Sequence, residues 1–231
     1  MAPQLPLRFA LPAFQRFDSF EPGPNAEALA AVQVLGTEPV AGSMFLTGPE
    51  GSGKTHLLVA ACRAAPGALF LPLSALGESA EEALLGRGAE PLVAVDDVHL
   101  IAGRRAAEIA LFDLYNRCRD HGGRLLLAAR APPQRLPLVL PDLASRLSSS
   151  AQFTLVPLGE DARRIVLQRQ AAERGLTLED DVIDFLFRRH ARDLGALFGL
   201  LDRIDQESLA QQRRITLPFV RRLIGLPSEK P

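Results

Sequence analysis

The chain has 231 residues, 47% hydrophobic and 23% charged, an ordinary globular balance that supports a sizeable core. Its formal net charge is -1 and its pI about 6.4, so no global excess of positive charge marks it for nucleic acid. Its apolar runs stop short of the roughly 18 residues that span a bilayer. The N-terminus is punctuated by prolines and lacks the charged-then-apolar pattern of a signal peptide. These features predict a cytoplasmic protein with no membrane association. Cys62 and Cys118 lie far apart, each in an apolar helical pattern and without metal-ligand spacing, and read as reduced core thiols.

Residues 1–12 show no periodic face and read as an extended tail. The run Phe17-Asp-Ser-Phe-Glu-Pro-Gly-Pro-Asn25 reads as a loop, with Asn25 capping a helix that runs to about Leu35. Alternating strands and helices follow. Strands are predicted at 43–47, 68–72, 92–96, 124–129 and 153–156. Helices are predicted at 54–64, 78–85 and 104–120, with a short one after Pro141. Ile109, Phe112, Leu114 and Tyr115 are the apolar positions of the long helix. Runs such as Leu92-Val-Ala-Val95 are apolar without alternation, as strands buried on both faces are. The order predicts a three-layer α/β domain with a parallel sheet over residues 13–157. Beyond Pro157 only helical patterns remain, at 161–174, 179–189, 193–212 and 218–224. Leu194, Leu197, Phe198, Leu201 and Ile204 recur at helical spacing in the third. Residues 158–231 are therefore read as a small all-helical domain.

The chemistry begins at Gly48-Pro-Glu-Gly51-Ser52-Gly53-Lys54-Thr55, a phosphate loop that follows a strand and opens a helix. Its glycines let backbone N–H groups curl around phosphate oxygens, and the helix N-terminus adds partial positive charge. Lys54 suits the β- and γ-phosphates, and the Thr55 hydroxyl suits Mg²⁺. Leu92–Asp96 is a Walker B pattern. Asp96, at the strand end, would hold Mg²⁺ through water. Asp97 would orient an attacking water or merely cap the next turn. From pattern alone Arg146 and Arg192 read as solvated charges, and His56, His99, His121 and His190 show no metal spacing.

These motifs, with Val95-Asp-Asp-Val98, Leu140-Pro-Asp-Leu-Ala-Ser-Arg-Leu147, Arg192-Asp-Leu-Gly-Ala-Leu197 and Ile215-Thr-Leu-Pro-Phe-Val220, resemble the DnaA/Hda family of AAA+ proteins across residues 17–223. The resemblance implies an AAA+ P-loop fold with a helical lid. It places Phe17, Asp18 and Asn25 near the adenine end of a bound ADP or ATP, and His56 joins the nucleotide-binding set with Gly48, Gly51, Ser52, Gly53, Lys54 and Thr55. It makes Arg146 an arginine finger and Arg192 the lid's sensor arginine. It also implies a regulator that binds the DNA polymerase III sliding clamp (the beta subunit) and stimulates ATP hydrolysis by the initiator DnaA, which inactivates it. The tail residues Gln4, Leu5, Leu7 and Phe9 resemble a clamp-binding peptide of the Gln-x-x-Leu-x-Phe type. No DNA-binding domain is expected after the lid, so DNA would be reached only through the clamp, and self-association is left open.

One departure stands out. The strand Leu125-Leu-Leu-Ala-Ala129 ends on Arg130, where the family carries a polar or acidic sensor residue. The alanines cannot position a water, so the expectation is weak hydrolysis of the chain's own nucleotide and activation of a partner's. The competing expectation is a free-standing AAA+ ATPase such as a helicase loader, which the intact phosphate loop and Asp96-Asp97 support.

Overall fold

The computed structural model describes the backbone of residues 11, 14–190, 194–211 and 215–225. The chain divides into two compact units, Met1–Pro157 and Leu158–Pro231. The first holds five parallel strands: β1 (Gly42–Thr47), β2 (Leu69–Pro72), β3 (Leu92–Asp96), β4 (Arg124–Ala129) and β5 (Ala151–Thr154). Their order across the sheet is β2-β3-β4-β1-β5. The helix α1 (Ala26–Thr37) precedes β1, and crossovers between the parallel strands supply α2 (Lys54–Ala64), α3 (Leu73–Leu76), α4 (Ala80–Leu84), α5 (Arg105–Asp120) and α6 (Pro141–Ser149). Among the described residues no helix is long and apolar enough to cross a membrane.

The three layers follow from the pleat, because successive strand residues face opposite sides. Phe45, Val93, Val95, Leu125 and Leu127 enter a core closed by Leu84, Leu111, Leu114, Leu143 and Leu147. Their neighbours Met44, Leu46, Leu92, Ala94, Leu126 and Ala128 enter a second core, closed by Val32 and Leu35 of α1 and Leu57, Leu58 and Ala61 of α2. Cys62 and Cys118 are free and buried, and burial alone pushes the Cys62 thiol up to about 12. Burial likewise raises the Cys118 thiol, to about 11.

Two buried charges brace this unit through main-chain groups. The Arg124 guanidinium donates to the carbonyls of Pro91, Leu35, Gly36 and Glu38, so it closes the C-terminal end of α1, where the helix dipole favours a cation. Glu108, fully buried on α5, accepts from the N–H groups of Gly103 (2.7 Å), Val139 and Leu140 (2.8 Å). It thereby holds the turn that leads into α6.

Several expectations shift at their ends. The last strand is Ala151–Thr154 rather than 153–156, because the chain leaves the ladder once the Asn25 side chain takes both main-chain groups of Val156. Asn25 accordingly makes no cap hydrogen bond to α1. The helix expected at 78–85 is shortened to α4 behind a 3-10 turn over Gly77–Ser79, and α3 precedes it, seating Leu73 and Leu76. Ile109 is 41% exposed, so of the apolar positions read on α5 it is Leu114 and Tyr115 that are buried.

The second unit contains α7 (Glu160–Glu173), α8 (Asp180–His190), α9 (Leu194–Gln211) and α10 (Leu217–Leu223). Its core gathers Val166, Leu167, Val182, Ile183, Leu186, Leu197, Leu201, Ile204, Phe219 and Val220. Arg174 ties α7 to α9 by donating to Asp202 Oδ1 at 2.8 Å.

Replacing Glu108 with alanine strands three main-chain donors, each costing about 1–3 kcal/mol where water cannot serve them. The expected loss is about 3 kcal/mol, a melting temperature lower by roughly 6–12 °C. Calorimetry on the full chain checks this, and a shift of under about 2 °C would show that Glu108 does not anchor the turn.

Candidate nucleotide and metal site

The phosphate loop leaves β1 at Thr47 and enters α2 at Lys54. Two of its glycines are required by geometry. Gly48 has φ 149°, and a Cβ there would lie 2.5 Å from the Leu155 carbonyl oxygen. Gly53 caps α2 in a left-handed conformation (φ 95°), with the Phe20 ring so close that a Cβ would sit 2.7 Å from it. Gly51 is also left-handed, and Ser52 is buried. Lys54 is buried, and its ammonium donates to the carbonyls of Gly48 and Pro49 at 2.8 Å each. Burial lowers its proton affinity, while the carboxylates of Asp96 and Asp97 raise it, for a net fall.

Asp96 ends β3 almost wholly buried, and its Oδ2 accepts from the Thr55 hydroxyl at 2.5 Å. Burial pushes its carboxyl above the usual carboxylate range. The Thr55 hydrogen bond opposes that, and the Asp97 charge adds to it. A buried acid held up in this way, beside a hydroxyl and against the loop lysine, fits a divalent cation shared with phosphate oxygens and water. No group of three metal-binding side chains occurs among the described residues. A cation held largely by phosphates needs none. Asp97 has φ 58° and is left-handed, the one such non-glycine residue among those described, and its N–H donates to Asp96 Oδ1. Such a conformation costs on the order of 1–3 kcal/mol and collects at functional sites. His99 lies 4.0 Å from Asp97 Oδ1.

The residues that the resemblance groups at the adenine end have different immediate partners. Phe17 packs in the second core, its ring against the backbone face of Gly36. Asp18 is exposed and paired with Arg16 at 2.9 Å. Asn25 is buried and committed to Val156. His56 does join the loop to the segment before α1. Its Nε2 is 2.8 Å from the Arg16 carbonyl and 3.4 Å from Ser19 Oγ, and its ring meets Phe20 edge-on at 5.3 Å. Ser19 and Phe20 are thus site neighbours that residue pattern did not single out; the only hint was an aromatic upstream of the glycine loop.

At the end of β4, Arg130 pairs with Glu50 of the phosphate loop at 3.3 Å. Arg146, half-buried on α6, makes no side-chain hydrogen bond or ion pair among the described residues; its carbonyl accepts from Ser149 and Ser150. Arg192 and the tail residues Gln4, Leu5, Leu7 and Phe9 lie outside the described residues.

Comparison with known proteins follows this geometry. Residues 160–224 match the family described as Hda, lid domain. Domain III of the replication initiation protein DnaA from Thermotoga maritima superposes with a TM-score of 0.73 at 21% identity, over 94% of this chain and 98% of that one. AMPPCP-bound DnaA from Aquifex aeolicus gives 0.63 at 22% identity, over 87% and 70%. The Thermotoga maritima RuvB Holliday junction branch migration motor gives 0.60 at 17%, over 89% and 68%.

The raised Asp96 carboxyl yields a pH-dependent prediction. An acid whose folded pKa lies above its unfolded value near 3.8 costs nothing while both states are protonated. Between the two values the unfolded chain binds fewer protons, so stability falls as pH rises and stays reduced above the folded value. Asp96→Asn should therefore leave the metal-free protein at least as stable as wild type at pH 7, with the difference vanishing below about pH 4. Mg²⁺-dependent nucleotide affinity should fall at least about tenfold, the equivalent of one charge-assisted contact. Thermal melts across pH, with titrations with and without Mg²⁺, test both halves. A destabilised variant that keeps its Mg²⁺ dependence would overturn the assignment.

Proposed function

We propose, from the premise that this chain is an Hda/DnaA-like AAA+ protein, that it is a regulator of replication initiation that holds ADP with Mg²⁺ and stimulates ATP hydrolysis by DnaA. The observation that carries this reading is the pairing of a complete phosphate-loop constellation with an arginine that the fold leaves uncommitted. Lys54, Thr55, Asp96 and Asp97 converge at one sheet edge, whereas Arg146 stands on α6 without a side-chain partner among the described residues. The turn before α6 is pinned by Glu108, so the helix that bears Arg146 is held at its start.

In this reading the loop N–H groups and the N-terminus of α2 receive the diphosphate. Lys54 exchanges its contacts with the Gly48 and Pro49 carbonyls for phosphate oxygens. Thr55 and Asp96 hold Mg²⁺, which neutralises phosphate charge when bound. Arg146 acts in trans on the ATP of a neighbouring DnaA subunit. A guanidinium so placed spreads over the charge that develops on the transferring phosphoryl group, and such fingers are worth roughly 10³ to 10⁵ in rate. Gln4, Leu5, Leu7 and Phe9 dock on the sliding clamp, the apolar side chains filling a pocket while Gln4 supplies a polar anchor. The clamp is multimeric, so a short peptide gains effective concentration there.

A second reading, an ATPase in its own right, draws on Asp97. Its carboxylate lies within electrostatic range of Asp96 and Lys54, where a group that orients water would stand. Turnover of ATP by the chain alone, at a rate unaffected by DnaA and clamp, would favour it.

Lys54→Ala should abolish ADP retention in a filter or fluorescence assay. A melting curve guards against misfolding, since Lys54 also bonds the loop. Undiminished ADP affinity in a folded variant would remove the site assignment.

Arg146→Ala should retain fold, ADP binding and clamp binding, yet lose about 10³-fold or more of the stimulation of DnaA hydrolysis, and Arg146→Lys should recover little because an ammonium lacks the planar fork. The measurement mixes each variant with clamp-loaded DNA and ATP-bound DnaA. Wild-type stimulation by the alanine variant would return Arg146 to an ordinary surface charge.

A further inference from the structure

Strand β4 lies between β1 and β3. Ala129, its last residue, is level with Thr47, so the next residue, Arg130, leaves the sheet beside Gly48. On its other side β3 ends in Asp96 and Asp97. Arg130 thus emerges between the phosphate loop and the acidic pair. Its guanidinium lies 3.3 Å from Glu50 Oε2, and Glu50 lies between Gly48 and Gly51 of that loop. After burial and the two aspartates, the same two side chains act on the Lys54 ammonium, Arg130 lowering its proton affinity and Glu50 raising it. Both charges therefore lie within electrostatic range of the Lys54 ammonium.

We propose that Glu50 occupies the guanidinium that a third phosphate would otherwise take, so that the Glu50–Arg130 pair sets this site toward nucleoside diphosphate over triphosphate. The inference rests on the nucleotide-binding reading above. A guanidinium presents one planar fork that fits a carboxylate or a phosphate equally well. Glu50 is tethered a few residues from the bound phosphates, so it competes at high effective concentration. A diphosphate ends at the group held by Lys54 and the loop amides and makes no demand on Arg130. A triphosphate extends one group further toward the ends of β3 and β4. There it must displace the Glu50 carboxylate and then sit beside it, like charge against like charge. Glu50 and Arg130 are 73% and 60% exposed, so their pair is weak and screened by salt. The result is a graded bias rather than a lock.

The test is calorimetric titration of the full chain with Mg²⁺ and either ADP or AMPPCP, a non-hydrolysable triphosphate, read as the ratio of the two affinities. Glu50→Gln should move the ratio toward AMPPCP by roughly threefold to tenfold. Arg130→Ala should move it toward ADP by about tenfold. In the double variant the Glu50 substitution should have a smaller effect than in the wild-type chain, because only its repulsion of the third phosphate remains once its partner is gone. Raising the salt should shrink the wild-type difference from Glu50→Gln. An unchanged ratio in both single variants, or additive effects in the double one, would overturn the proposal while leaving nucleotide binding intact. A wild-type chain that binds neither nucleotide would instead bring down the site reading on which the proposal stands.

Discussion

Strand β4 takes hydrogen bonds from β1 on one side and β3 on the other, and all three run in the same direction. Parallel pairing sends every C-terminal strand end to one edge, and the crossover helices begin there. That single constraint assembles the site. The phosphate loop follows β1, Asp96 and Asp97 follow β3, and Arg130 follows β4, so residues from three separate stretches of chain meet at the N-terminus of α2. The strands hold this arrangement because both faces are buried: alternate residues of β1, β3 and β4 fill two different cores, and a slip of one residue would exchange those contents.

Charge inside the first unit is handled mostly through main-chain groups. Arg124 closes the carbonyl end of α1, Glu108 takes the amides before α6, and Lys54 sits on two loop carbonyls. Arg124 and Glu108 are fixed braces whose partners are parts of the scaffold. Lys54 instead donates to loop carbonyls, and Arg130 leans on an exposed carboxylate of the same loop. In the proposed nucleotide-binding reading, these contacts at the strand ends are the ones a phosphate would replace.

The helical unit carries the match to a family model rather than visible chemistry. Residues 160–224 match the Hda lid, and the same stretch buries apolar residues from α7 to α10 and bonds Arg174 to Asp202. A likeness of 21–22% to DnaA structures establishes the fold, and the fold alone does not decide between activating a partner and turning over ATP. In the proposed reading that distinction would rest on individual side chains, Arg146 and Arg130 among them.

The sequence by itself determined the elements whose signal is local. The glycine spacing of the phosphate loop, the unbroken apolar run before Asp96, and the helical period of Leu197, Phe198, Leu201 and Ile204 each state a structure within a dozen residues, and each was legible. What only the tertiary structure decided depends on partners distant in the chain. Asn25 reads as a helix cap because its nearest amides belong to α1, yet it bonds Val156, 131 residues away, and so ends the last strand early. Glu108 reads as one more polar residue on an amphipathic helix, until the turn 31 residues on is brought to it. Arg124 looks like a surface cation at a strand start, and it is buried because α1 ends against it, 89 residues before. Arg130 was visible as a departure from pattern, but its pairing with Glu50 was not, since nothing in one stretch of sequence records which strand end lies beside which loop. Local backbone preference and periodicity act over a few residues. The satisfaction of buried polar groups is settled only when the whole unit closes, because any distant carbonyl or amide that arrives in range can serve.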